Sequence, residues 1–184
     1  MPVTTIDPTT ALIVIDLQAG LIGLPTVHPF DDIVANAVRL ADAFRAKKLP
    51  IVLVNVAGGA PGRTEQSPGG RRREFPQGWT DLLPELGQQP TDKVVTKYTW
   101  GAFHHTDLAE YLTDLGVTQV VIAGISTSSG VETTARQAYE HGFHVTLATD
   151  AMTDTNPVTH DNTIAYIFPK LGETGTTDDI LTLL

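Results

Sequence analysis

Short apolar runs alternate with longer amphipathic segments along almost the whole chain. Five runs rich in β-branched and other apolar residues lie at 11–16, 50–57, 92–97, 119–124 and 144–150. Most of them are continuously hydrophobic, which is typical of strands that are buried on both faces in a parallel sheet. The pattern therefore predicts five strands, with room for one further edge strand near Glu173.

The segments between these runs have helical periodicity. Over 31–48 the apolar residues recur at helical spacing, with two aspartates at the amino end and two lysines at the carboxyl end, where their charges favour the helix dipole. Further helices are predicted at 106–115, 129–141, 158–168 and 177–184. Thr106 is the expected N-cap of the second helix, and Gly116 the residue that ends it.

The alternation of strands and helices indicates the fold class. Strands that alternate with helices build right-handed βαβ units and a mainly parallel sheet. We therefore predict an α/β protein with three α/β/α layers, in which a Rossmann-like sheet of five to six strands carries helices on both faces. A length of 184 residues fits one domain spanning 1–184.

The composition narrows the classes of partner and chemistry. A formal net charge of −9 argues against nucleic acid or an anionic membrane as the main partner. The chain has no cysteine, so it has no disulfide and no thiolate that could act as nucleophile or metal ligand. No apolar run reaches the roughly 18 residues of a membrane span, and the amino terminus lacks a signal-peptide pattern, so we expect a cytoplasmic protein.

Charged side chains stand where two of the predicted strands end. Asp16 ends the first apolar run, and Lys97 ends the third. Ligands of parallel sheets bind beyond the carboxyl ends of the strands, and a buried lysine needs an acidic partner. Taken alone, Asp16 could equally be an ordinary turn carboxylate, and Lys97 a surface lysine. Together they predict an acid–base pair whose members orient each other.

Residues close to these strand ends are candidates to contact a substrate. They are Gln18 after the first strand, Trp100 and Phe103 after the third, and Ile125, Ser126 and Ser129 in the turn after the fourth. Backbone N–H groups in that turn, at a helix N-terminus, are suited to bind negative charge, and Gly130 allows a close approach. Arginines at 63 and 71–73 indicate either a lid that attracts an anion or a solvated loop.

Three separate motifs resemble one known family. The segments "ALIVIDLQ", "VVTKYTWGAFHHTDLAEYL" and "VVIAGISTSSGVETTARQAYEHGFHVTLATDAMTD" are similar, in this order, to those of the isochorismatase-like hydrolases, also called the cysteine hydrolase superfamily. The resemblance covers nearly the whole chain. It implies that Asp16 and Lys97 are two members of the family's catalytic Asp–Lys–Cys set, and that the Ile125–Ser126 peptide bond is cis.

The third member of that set differs in this chain. The family pattern places the cysteine at Gly130, and Ser129 lies one residue away from it. The resemblance therefore implies the branch that carries glycine at this position and cleaves a vinyl ether without a covalent intermediate. In that branch the Asp acts as general acid and protonates the enol-ether carbon, after which water captures the oxocarbenium ion.

Other functions remain open at this point. A serine of the 126–129 turn, Ser128 or Ser129, could replace the cysteine in an amidohydrolase, or the fold could bind a small molecule without catalysis. No cofactor is predicted. No catalytic metal is predicted either, because "NVAGGAPG" stands where the metal-binding D-x-H signature of the family's nicotinamidases would follow the second strand. The resemblance also implies a small-molecule substrate and a homodimer or a higher homo-oligomer.

Overall fold

A computed structural model describes residues 2–67 and 75–184 of the chain, and within them the sheet has six strands. The strands are Thr10–Ile15 (β1), Ile51–Val56 (β2), Lys93–Lys97 (β3), Gln119–Ile125 (β4), His144–Thr153 (β5) and Glu173–Gly175 (β6). Their order is β3-β2-β1-β4-β5-β6, and every neighbouring pair is parallel. The predicted fold class is confirmed, and β6 is the edge strand expected near Glu173.

Helices cover both faces of this sheet. The α-helices are Phe30–Ala46 (α1), Leu108–Asp114 (α2), Glu132–Glu140 (α3), Pro157–Asn162 (α4) and Thr177–Leu183 (α5). One buried apolar cluster joins α1 and α5 to the sheet, and a second joins α2 and α3 to the opposite face. The sheet side chains that alternate along β1 divide between these clusters, so the strand is buried on both faces as its continuous apolar sequence predicts.

Three helix ends differ from the sequence-based expectation. Helix α2 begins at Leu108 with Asp107 as its N-cap, while the Thr106 hydroxyl accepts a long hydrogen bond from the Leu108 amide and donates to Ala102 O. A π-helical turn, Thr127–Val131, precedes α3. Helix α4 passes into a π-helical segment and then a 3₁₀ turn that contains Pro169, because proline has no N–H with which to continue an α-helix.

The strand order places two chain segments side by side at the centre of the sheet. The chain adds β2 and β3 on one side of β1, and then β4, β5 and β6 on the other. This reversal leaves a crevice between the carboxyl ends of β1 and β4, which is where parallel α/β sheets bind ligands. Gly124 permits the close contact there: it has φ +118°, and a Cβ atom on it would lie 2.0 Å from Ile15 O.

No helix among the described residues has both the length and the apolar character needed to cross a bilayer.

Candidate active site

A buried ion pair lies at the carboxyl edge of the sheet. Asp16 follows β1 with a left-handed backbone (φ +54°), and Lys97 is the last residue of β3. Strand β2 separates their strands, and the long lysine side chain reaches past it to place Nζ 2.7 Å from Asp16 Oδ2. The two residues are only 5% and 1% exposed. The structure thus brings together the two charged residues that the strand ends suggested.

Burial decides the protonation of Asp16. Burial raises the pKa of the Asp16 carboxyl from 3.8 to about 6, although the Lys97 ammonium beside it lowers the same pKa. A proton on this carboxyl is carried most readily by Oδ1, because Oδ2 accepts the hydrogen bond from Lys97. Oδ1 is buried and has no hydrogen-bond partner among the described residues. Asp16 is therefore suited to hold and release a proton near neutral pH.

Gln18 is buried beneath the surface of the site and is bonded to backbone groups. Its side chain is fully buried, and its amide accepts from Val56 N at 2.7 Å and donates to Val56 O and Trp79 O at 3.2 and 3.0 Å. Both ends of the amide are thus used by backbone groups. This placement does not support the expected substrate contact. Instead Gln18 ties the end of β2 to the turn after β1 that bears Asp16.

The turn after β4 is held by the carboxylate of Asp154, the residue that follows β5. The Ile125–Ser126 bond is cis, as the resemblance implies, and Ser126 O accepts from the amides of Ser129 and Val131 at 3.0 and 3.1 Å. The amide and the hydroxyl of Ser128 both donate to Oδ2 of Asp154, each at 2.7 Å. Three backbone amides of this turn, those of Ser128, Ser129 and Val131, are therefore engaged within the protein.

Gly130 faces the carboxylate of Asp16. A Cβ atom built on this buried glycine would lie 3.3 Å from Asp16 Oδ2 and 3.1 Å from Ile15 Cγ2. A side chain at position 130 would therefore meet Asp16 directly, whereas the hydroxyl of Ser128 is bonded to Asp154. The glycine thus places no side chain against the carboxyl group, and a side chain there would be crowded.

The two aromatic candidates take different positions. Trp100 is 57% exposed and lines a cavity of about 440 Å³ together with Arg63. Phe103 is buried, and its ring packs against His141 and Phe143 at centroid distances of 5.2 and 6.1 Å. Phe143 precedes the first residue of β5, whereas Asp16 follows the last residue of the parallel strand β1, so the two lie at opposite ends of the strands. The core position of Phe103 does not support the expected substrate contact. Arg71, Arg72 and Arg73 lie outside the described residues.

Three residues of the site were missed by the sequence analysis. Asp154 follows the long strand β5 and holds the Ser128 turn, and Trp79 stacks on Phe75 with its ring over Gly20. The carbonyl of Thr99 accepts from Lys97 Nζ at 3.3 Å. Only the last had a usable signal, since it follows Lys97 by two residues. Within residues 2–67 and 75–184, no group of three or more histidines and carboxylates is placed to hold a metal ion.

Comparison with known proteins gives one consistent family. A profile of the isochorismatase domain matches residues 10–179. The uncharacterised isochorismatase family protein YwoC of Bacillus subtilis is 39% identical over 177 residues, which cover 94% of this chain and 92% of YwoC. The corresponding protein YecD of Escherichia coli O157:H7 is 37% identical over 96% of both chains. A crystal structure of an isochorismatase family protein from Burkholderia thailandensis superposes with a TM-score of 0.92, at 40% identity, over 98% of this chain and 97% of that one.

Proposed function

The chain belongs to the isochorismatase family of hydrolases, and we propose that it cleaves a vinyl ether of the isochorismate type without a covalent intermediate. The observation that carries this proposal is the environment of Asp16. Its carboxyl is buried, has a pKa raised to about 6 and has one oxygen to which no residue of the described part of the chain donates a hydrogen bond. Gly130 faces that carboxyl and has no side chain that could attack the substrate.

Asp16 is the general acid in this reaction. The Oδ1 proton passes to the terminal carbon of the enol ether, and the positive charge that forms is shared between the ether oxygen and its carbon. Water adds to this oxocarbenium carbon and returns one proton to Asp16. The resulting hemiketal breaks into a ketone and an alcohol, so the enzyme ends the cycle in its original state. General acid catalysis of this kind contributes about 10² to 10⁴-fold to rate.

Lys97 has two parts in the proposal. Its ammonium holds Oδ2 at 2.7 Å and thereby leaves Oδ1 free to face the substrate. When Asp16 is protonated, the Asp16–Lys97 pair has a net positive charge, which favours an anionic substrate. A bound carboxylate in turn raises the pKa of Asp16, because a like charge nearby disfavours the ionised form. Ile125, Ser126, Ser129 and Trp100 remain our candidates for contact with the rest of the substrate.

A labelling experiment with isochorismate tests this function. The enzyme is incubated with isochorismate in water enriched in ¹⁸O, and both products are analysed by mass spectrometry. We expect release of pyruvate together with a cyclic diol that retains its original ring oxygens, because water attacks the carbon of the enol ether. Absence of pyruvate, or ¹⁸O in the diol, would contradict the proposal. Release of ammonia from an amide such as nicotinamide would instead favour the serine amidohydrolase.

A further inference from the structure

Two buried oxygen atoms beside Lys97 have no hydrogen-bond partner among the described residues. They are Asp16 Oδ1 and Thr99 Oγ1. Buried polar groups are nearly always hydrogen-bonded, and a buried hydroxyl without a partner costs about 1–3 kcal/mol. Two such atoms on residues that contact one ammonium group point to a common explanation.

Both residues touch the same ammonium group. Lys97 Nζ lies 2.7 Å from Asp16 Oδ2 and 3.3 Å from Thr99 O. Thr99 itself is half-buried between two strongly exposed neighbours, Tyr98 at 64% and Trp100 at 57%. The chain thus turns the hydroxyl-bearing residue inward at the point where the aromatic residues on either side face outward. Lys97 therefore contacts both residues that carry these oxygens, through Asp16 Oδ2 and the Thr99 carbonyl.

We propose that Thr99 Oγ1 and Asp16 Oδ1 together hold the water molecule that hydrolyses the substrate, an inference that rests on the proposed function. A buried water typically forms about three hydrogen bonds to groups that would otherwise be unsatisfied. A hydroxyl can accept a hydrogen bond from the water or donate one to it, and a carboxylate oxygen can accept a hydrogen bond from it. Asp16 Oδ1 and Thr99 Oγ1 therefore suit opposite sides of a single water.

This arrangement completes the proton cycle of the reaction. After Asp16 gives its Oδ1 proton to the enol-ether carbon, the same oxygen is a carboxylate oxygen. The water held by Thr99 forms its new C–O bond to the oxocarbenium carbon and loses one proton to Oδ1. No further acid or base is consumed. Thr99 stays unchanged and acts by orienting the oxygen lone pair of the water.

The test compares Thr99→Val with Thr99→Ser. Valine keeps the shape of threonine without the hydroxyl, and serine keeps the hydroxyl. Thr96→Val is the matched control, because Thr96 is an exposed threonine of β3, three residues before Thr99. Each protein is crystallised for a high-resolution structure, and kcat and KM are measured for pyruvate release from isochorismate.

We expect a water within hydrogen-bond distance of both oxygens in wild type and Thr99→Ser, and none there in Thr99→Val. In Thr99→Val, kcat should fall about 10- to 100-fold with little change in KM, since a misplaced reactant costs rate rather than binding. Thr99→Ser and Thr96→Val should stay close to wild type. An unchanged kcat in Thr99→Val, or a raised KM with unchanged kcat, would overturn the assignment.

Failure of the proposed function gives a different result. If wild type releases no pyruvate from isochorismate, the vinyl-ether reaction is wrong, and the diffraction data alone judge the water site. A water bound to both oxygens in wild type and lost in Thr99→Val would still support it. Wild-type density without a water between these two oxygens would overturn it, whatever the activity.

Discussion

Replacing Asp16 by asparagine is expected to lower kcat for vinyl-ether hydrolysis about 10³-fold, because the amide has no proton to give to the enol carbon. The amide oxygen can still accept the hydrogen bond that Lys97 Nζ now gives to Asp16 Oδ2 at 2.7 Å. The side-chain shape is also preserved, so the variant should fold. KM should change much less than kcat. The measurement is steady-state release of pyruvate from isochorismate by both proteins.

Asp31→Asn is the matched control for this substitution. Asp31 is an exposed carboxylate in the first turn of α1, outside the proposed site. Its amide variant should keep the wild-type rate. Circular dichroism and thermal unfolding of Asp16→Asn establish that it is folded. A folded Asp16→Asn enzyme with more than about a tenth of the wild-type kcat would refute the assignment of Asp16 as general acid.

Replacing Lys97 by methionine is expected to destabilise the protein strongly at high pH. The ammonium lowers the pKa of Asp16 against the larger effect of burial, so its removal raises that pKa further. At pH 8 the variant must either bury an unpaired carboxylate or take up a proton from solution, where the proton concentration is low. Breaking a buried pair in this way costs about 3–5 kcal/mol. The free energy of unfolding is measured with urea between pH 5 and pH 8.

The sign of the pH dependence follows from the direction of the shift. The pKa of Asp16 is higher in the folded protein, about 6, than its ordinary value of 3.8, so the folded state binds more protons between these values. The contribution of this group to stability therefore falls as pH rises across that window. In Lys97→Met the window extends to higher pH, so the loss should be large at pH 8 and much smaller at pH 5.

Two further proteins separate this effect from general damage. Lys93 lies on the same strand as Lys97, and Lys93→Met breaks its partly exposed ion pair with Asp107, the N-cap of α2. Such pairs contribute about 0–1 kcal/mol. Its effect should be small and nearly independent of pH. Asp16→Asn combined with Lys97→Met removes both charges and should recover much of the loss at pH 8. A Lys97→Met protein that is equally destabilised at pH 5 and pH 8 would contradict the explanation.

The layered fold could be predicted because its signals are local. The run 11–16 is continuously apolar, and β1 is indeed buried on both faces. The spacing over 31–48 predicted α1 to within two residues of its observed ends, Phe30–Ala46. Helix interruptions were harder to predict. The π-helical segments at Thr127–Val131 and Thr163–Ile167 depend on tertiary contacts, such as the Thr127 hydroxyl with His160 Nδ1 at 2.9 Å.

The candidate site was predictable only where it depends on strand ends. Asp16 and Lys97 meet because parallel strands present their carboxyl ends at one edge. The hydrogen bonds that use Gln18 and occupy the Ser128 amide come from Trp79 and Asp154, which are 61 and 26 residues away along the chain. Neither Trp79 nor Asp154 stands at the end of a predicted strand, so the strand-end argument did not identify these contacts. The contact of the Phe103 ring with Phe143, 40 residues away along the chain, was likewise not predicted.

The pH dependence of kcat/KM for pyruvate release from isochorismate tests the central claim most directly, since it reports the essential groups of the free enzyme. Burial raises the pKa of Asp16 to about 6, and the acid mechanism needs its protonated form. The account predicts that log kcat/KM is level below pH 6 and falls with a slope close to −1 above it. A kcat/KM that rises with pH through 6 would mean that ionised Asp16 is the active form, and would contradict general acid catalysis.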